Sequence, residues 1–239
     1  MKKYYEKSGI GFAVMWIVIY VVGTSLVDGL NITKGATLGF HTLLTLVILA
    51  FLKQQGLMKE FGLCKAKYPV KNFLFFLPLI AVSTVNFWFG VQTPEDLLES
   101  IFFAASMVCV GFLEEIIFRG FLFKAMAKDN VKAAIIVSSI TFGIGHIINL
   151  INGSGMSLLA NICQVIYAIA FGYLCVVIFH RGGSLWPCIA AHSFVNATSV
   201  FGREINDTQQ IVSAAILTAV PLAYALILQK TLPREKEKV

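Results

Sequence analysis

Charge is scarce in this chain. Only 13% of its 239 residues are Asp, Glu, Lys or Arg, against 57% hydrophobic, and the mean hydropathy is +0.79. A soluble domain carries about a quarter of its residues charged, so a water-soluble globule is excluded. The formal net charge of +6 comes without a basic face interleaved with aromatics, which argues against nucleic acid as a partner. Cysteine is sparse and scattered: Cys64, Cys109, Cys163, Cys175 and Cys188 stand singly. With no C-x-x-C pair there is neither a zinc knuckle nor a disulfide framework, and all five read as small buried apolar residues. No linker, low-complexity stretch or internal repeat divides the sequence, so residues 1–239 read as a single integral-membrane domain. Also missing are H-E-x-x-H and a serine in G-x-S-x-G; Gly153-Ser154-Gly155 reads as a turn.

What the sequence does have is long apolar runs. A membrane helix needs about 20 mostly apolar residues. Runs near Ile10 to Val27, Ala36 to Leu52, Phe73 to Val91, Ile101 to Phe123, Ala133 to Ile151, Ser157 to Phe179, Leu185 to Phe201 and Ile211 to Leu228 predict an all-α bundle of about eight transmembrane helices. The second is short and the last contains Pro221. The first follows Met1-Lys2-Lys3 as a signal peptide would, but it is long and lacks a small-residue cleavage site, so it is expected to stay. If the N-terminus lies inside, sixteen of the nineteen cations fall in inner segments, and only Lys34 and Arg203 lie outside, where Glu95, Asp96 and Glu99 cluster. Short loops rich in Lys and Arg stay in the cytoplasm, so both termini are expected there.

The remaining cation lies inside a span. Residues Gly111 to Phe123 read GFLEEIIFRGFLF, with Glu114, Glu115 and Arg119 in an otherwise apolar run. A charge at the centre of a membrane helix costs about 2.5 to 3.5 kcal/mol on insertion scales and faces the bundle interior. Glu115 and Arg119, four apart, share a helical face and can pair. Glu114 lies roughly 100° away and has no obvious local partner.

Two other spans carry polar groups at helical spacing. Phe142, His146 and Asn149 recur at i, i+4 and i+7, and Gly143 and Gly145 would let a neighbouring helix come close. His192 and Asn196 are again four apart, beside Ala190 and Ala191. At 1.5 Å per residue, Glu114 lies about 15 Å from Lys124, His146 about 21 Å from Lys132 and His192 about 16 Å from Arg181. Three helices thus place their polar groups in one layer. His41 and His180 read as packing or interfacial residues outside it.

No aspartate occupies the interior of a span, which leaves glutamate and histidine for chemistry. Hydrolysis needs a base to take a proton from water and donors to hold the oxyanion. A carboxylate buried without a partner is the better proton acceptor, and one beside a guanidinium the better fixed charge. Glu114 is therefore the expected base, with Glu115 and Arg119 as its electrostatic neighbours; His146 shares the water, and His192 and Asn196 donate to the oxyanion. The alternative use of Glu114, His146 and His192 is as ligands to zinc.

The ordered set E-E-x-x-x-R (Glu114, Glu115, Arg119), F-x-x-x-H (Phe142, His146) and H-x-x-x-N (His192, Asn196), with Ser184-Leu185-Trp186-Pro187 before the last motif, resembles the CPBP family. These are the CAAX prenyl endopeptidases and the bacteriocin-processing or self-immunity proteins, also called Abi. The resemblance implies an intramembrane endopeptidase with its catalytic core at about residues 97–201. Its substrate would be a prenylated CAAX-type peptide or a bacteriocin or signalling peptide, and its location the bacterial cytoplasmic membrane. Family members are described both as metal-dependent and as glutamate-based without metal; the residues here need no cofactor, and zinc is the alternative. The rival from another class is a non-catalytic immunity or binding protein, or a small transporter with a buried proton relay.

Overall fold

The computed structural model describes residues 1–151 and 155–233. Gly153 and Ser154 of the expected turn, and the C-terminal cations Arg234, Lys236 and Lys238, lie outside the described residues. Regular structure among the described residues is helical, apart from one isolated bridge between Val91 and Gly202. Among the described residues six helices are long and apolar enough to cross a membrane: α1 (Gly9–Gly29), α2 (Lys34–Gln54), α4 (Leu97–Met126), α5 (Val131–Leu150, with a break near its end), α6 (Leu158–Gly182) and α8 (Asp207–Thr231). Shorter helices α3 (Leu77–Ser83) and α7 (Trp186–Thr198) complete the bundle. With this sequence of hydrophobic helices the protein is an integral membrane protein.

Local chemistry sets the helix ends. The side chains of Ser8, Thr33, Asp96, Asn130, Ser157 and Asn206 each accept a backbone N–H of the first turn, the usual satisfaction of donors left over at an N-terminus. Gly183 closes α6 at φ +74°, a left-handed position that glycine occupies without penalty. On α1 the pattern is two-faced: Phe12, Trp16 and Tyr20 are buried at fourfold spacing, while Val14, Val18 and Val22 are exposed on the opposite side. Because lipid is as apolar as those valines, association rests on packing and polar contacts. Phe12, Phe51, Phe61 and Phe121 stack edge-on or tilted, with ring centroids 5.1 to 5.4 Å apart in the neighbouring pairs.

The expected third span differs. Phe73 to Val91 is not one helix: a 3-10 segment (Val70–Phe76) with left-handed Leu74, Phe75 and Phe76 precedes α3, and another 3-10 turn (Val85–Phe87) follows it. Pro78 stands at the start of α3, where its missing N–H is harmless, and no helix can run through it from Phe73 without losing a hydrogen bond. Further on, Asn86 spends its amide on the carbonyl of Val195 and the hydroxyl of Thr198.

Two sets of loops define two faces. On the first, Lys67 N–H donates to Gly182, Leu185 N–H to Gly62 and the Ser184 hydroxyl to Cys64. On the second, Gln92 N–H donates to Phe201 and Arg203 N–H to Gly90, and Thr33 and the Lys34 N–H donate to Glu99. The segments 70–87 and 186–201 therefore run between the same two faces as the long helices. The first face carries Lys53, Lys59, Lys65, Lys67, Lys124, Lys128 and Arg181; the second carries only Lys34 and Arg203 among the described cations.

Candidate active site

The glutamate pair sits where the helix changes its winding. α4 is α-helical from Leu97 to Glu114 and π-helical from Glu115 to Phe123; such widened turns concentrate at functional sites. Glu114, Glu115 and Arg119 are all buried, the last two completely. Arg119 Nη1 stands 3.4 Å from Glu115 Oε1, and its guanidinium carbon lies 3.9 Å above the Phe142 ring, a cation–π contact. Gly172 on α6 makes the room: a Cβ there would come within 3.0 Å of Arg119 Nη2.

α7 brings in the imidazole. Its approach depends on Gly111, where a Cβ would lie 2.6 Å from the backbone nitrogen of Ser193. His192 then stands between the two acids, Nδ1 sharing a hydrogen bond with Glu115 Oε1 at 3.0 Å and Nε2 3.3 Å from Glu114 Oε2. A neutral imidazole donates from only one nitrogen. Carboxylate oxygens stand on both sides of the ring.

Glu114, without a local partner in sequence, has a distant one: the Tyr20 hydroxyl of α1 donates to its Oε1 at 2.7 Å. Sequence reasoning missed Tyr20, whose one signal is a phenol among valines and isoleucines. His41, expected as a packing or interfacial residue, is fully buried on α2 and bonded to Thr24 at 2.9 Å and Ser106 at 2.7 Å, and it lines the same cavity as Glu114.

Phe142, His146 and Asn149 all line one cavity, as their i, i+4, i+7 spacing predicts, but the helix that carries them is broken. α5 stops at Gly145, His146 follows in a turn, and a short helix resumes at Ile148–Ile151. Two amides from α6 hold the break: Asn161 donates to the His146 carbonyl at 2.8 Å, and Asn149 donates to Gln164 at 2.9 Å. Gly143 does permit the close approach expected of it, since a Cβ would lie 2.9 Å from the Val165 carbonyl, whereas the space at Gly145 is open. The Phe142 ring separates the two imidazoles, its centroid 5.1 Å from that of His146 and 5.6 Å from that of His192.

Glu114, His146, His192 and Asn196 line one cavity of about 630 Å³, within the roughly 300 to 1,000 Å³ typical of ligand pockets. Glu115 and Arg119 lie behind its wall. The zinc alternative would take Glu114 Oε2 and His192 Nε2, which stand 3.3 Å apart, with His146 as the third ligand. Among the described residues, the ligand atoms that gather within 4.8 Å are those of Glu115, Cys175 and Cys188, not Glu114, His146 and His192.

The family model described as type II CAAX prenyl endopeptidase Rce1-like matches residues 96–198. The match opens on the Asp96 cap and closes at the end of α7, enclosing all six candidate residues and agreeing with the resemblance read from the motifs. No curated protein and no solved structure matches the chain.

Proposed function

Since residues 96–198 carry an Rce1-like domain of the CAAX prenyl endopeptidase type, we propose that this membrane protease hydrolyses a peptide bond by water activated at Glu114, without a metal. The observation that carries the reading is the meeting of Glu114 and His192 at the floor of one cavity, with Glu115 behind its wall against the other nitrogen of His192. Glu114 takes a proton from water as the oxygen attacks the scissile carbonyl carbon. The carbonyl electrons move onto oxygen, and the oxyanion is held by neutral donors. Both nitrogens of His192 face carboxylates and the Tyr20 hydroxyl donates to Glu114, so this role passes to Asn196, four residues along on α7. When the tetrahedral intermediate collapses and the C–N bond breaks, the proton on Glu114 goes to the leaving amine, directly or through His192. Glu115, fixed by Arg119, keeps His192 in place, and His146 faces the water from the other side of Phe142.

The same reading takes eight membrane crossings, the segments 70–87 and 186–201 being the short ones, with both termini in the cytoplasm of a bacterium. The substrate is a peptide or lipidated peptide. Incubation in detergent with prenylated and unmodified peptide libraries tests this: wild type should cleave, and Glu114→Gln and His192→Ala should lose at least a hundredfold. Equal cleavage by Glu114→Gln would overturn it, as would tolerance of that substitution in an immunity assay without any cleavage.

A further inference from the structure

We infer that the cavity takes its substrate from the lysine-poor face, so that the peptide cleaved is one presented on the non-cytoplasmic side of the membrane; this rests on the peptidase reading and orientation above.

The cavity has a direction. Its lining runs from Glu114 and His192, which are buried, to Asp28, Lys34 and Ser199, which are exposed, with the half-buried Asn86, Ile205 and Gln210 beside them; burial therefore makes the first end the floor and the second the mouth. Every one of those mouth residues belongs to the face where Thr33 meets Glu99 and Val91 meets Gly202. None of the lining residues comes from the loops that carry Lys53 to Lys71, Lys124 to Lys132 or Arg181. The mouth is also the wet end: Lys34 and Asp28 pair across it at 3.8 Å with side chains 49% and 41% exposed.

Beneath the floor the bundle is closed. Between Glu114 and the lysine-rich face lies the widened last third of α4, and along it Ile117, Phe118, Phe121 and Leu122 are buried, as are Leu174, Val177 and Ile178 of the facing α6. A second cavity of about 620 Å³ opens on the lysine-rich face. It ends on Phe121, Phe123 and Phe179 and shares no lining residue with the first. A peptide arriving from the lysine-rich side would meet aromatic packing, not the carboxylates.

Cation asymmetry turns this geometry into a side of the membrane. Lys- and Arg-rich short loops stay cytoplasmic, which places the mouth outside. A prenylated tail exposed in the cytoplasm is then not the substrate. The substrate is an exported or membrane-anchored peptide whose scissile bond enters from the outer surface.

Labelling with a membrane-impermeant maleimide tests the direction without requiring activity. In a Cys64→Ser background, Gln210→Cys and Ile205→Cys place a thiol at the mouth, and Lys128→Cys places one on the lysine-rich face. The mouth thiols should label in intact cells, several-fold above the background chain, and Lys128→Cys only in inverted vesicles. Mouth thiols that label only in inverted vesicles, or only after detergent, would overturn the inference. A second arm separates it from the peptidase reading: a peptide cleaved in detergent, made impermeant, should be cut by sealed right-side-out vesicles and by inverted ones only after permeabilisation. Cleavage by sealed inverted vesicles alone sinks the sidedness; correct labelling with no cleavage of any peptide in detergent sinks the peptidase reading and leaves the direction of opening intact.

Discussion

Tyr20 and Glu114, 94 residues apart in the chain, meet at 2.7 Å in the middle of the bundle, phenol donating to carboxylate. The contact ties α1, which lies outside the matched residues 96–198, to the floor of the cavity, so the first helix belongs to the site and is not merely an anchor. A hydrogen bond to an ionised acceptor is worth about 1.5 to 3 kcal/mol, and each 1.36 kcal/mol at the barrier is about tenfold in rate. Tyr20→Phe, which keeps the ring and removes only the hydroxyl, should lower kcat by about 10- to 100-fold. KM and the unfolding temperature in detergent should stay close to wild type. An unchanged kcat would remove Tyr20 from the positioning of Glu114.

Arg119 and Glu115 are a fully buried pair, and such pairs are expensive to break from one side. Removing one partner strands the other charge at about 3 to 5 kcal/mol, whereas replacing both can be nearly neutral. Arg119→Met should therefore unfold at markedly lower temperature than wild type, and adding Glu115→Gln should restore most of the loss. The double variant should remain poorly active because a glutamine amide oxygen can still accept from His192 Nδ1 but no longer offers it a negative charge. A double variant less stable than either single one would show that the pair holds the fold by some route other than mutual neutralisation.

Much of this was legible in the sequence. The apolar runs gave the long helices to within a few residues, because a period of about 20 apolar residues has few other readings. Depth counting put Glu114 and His192 in one layer, and they touch in the structure. What composition could not reveal was phase and partner. The turn at Gly145–His146 interrupts an apparently continuous pattern, since Asn149 and Asn161 are satisfied across helices and not along one. The span expected from Phe73 fails at Pro78, a residue that the hydropathy sum passes over. Tyr20 and His41 carry no motif at all; their places come from which helix faces which, and a single sequence does not encode that pairing visibly.

Gly111 offers a steric test of the α4–α7 approach. A Cβ would lie 2.3 Å from Ser193 Oγ and 2.6 Å from the Ser193 backbone nitrogen, and the backbone atom cannot rotate away. Gly111→Ala should force the helices apart at about 1 to 3 kcal/mol, the usual cost of overpacking, and, by drawing His192 off Glu114, cost about a hundredfold in kcat. Gly145→Ala, with nothing within 4 Å of the added carbon, is the matched control and should leave both stability and cleavage near wild type. Equal effects of the two substitutions would mean that glycine flexibility matters here and close approach does not.

The last prediction concerns metal. Glu115, Cys175 and Cys188 bring their ligand atoms within 4.8 Å of one another, all buried, which at first sight suits a soft cation. Two observations oppose it. The Arg119 guanidinium stands 3.4 Å from Glu115, where it repels a cation and already supplies the neutralising charge; and Cys188 spends its thiol on the Cys175 carbonyl at 3.7 Å, a contact between partners that need no metal to be satisfied. Cleavage in detergent should therefore survive prolonged chelation within about twofold, and Cys175→Ala and Cys188→Ala should each keep kcat within the same margin, since neither thiol lines the cavity. Metal analysis of the active, purified protein supplies the decisive readout: stoichiometric zinc, lost on chelation together with activity and restored with it, would replace the water activation by Glu114 argued above with a metal-bound one.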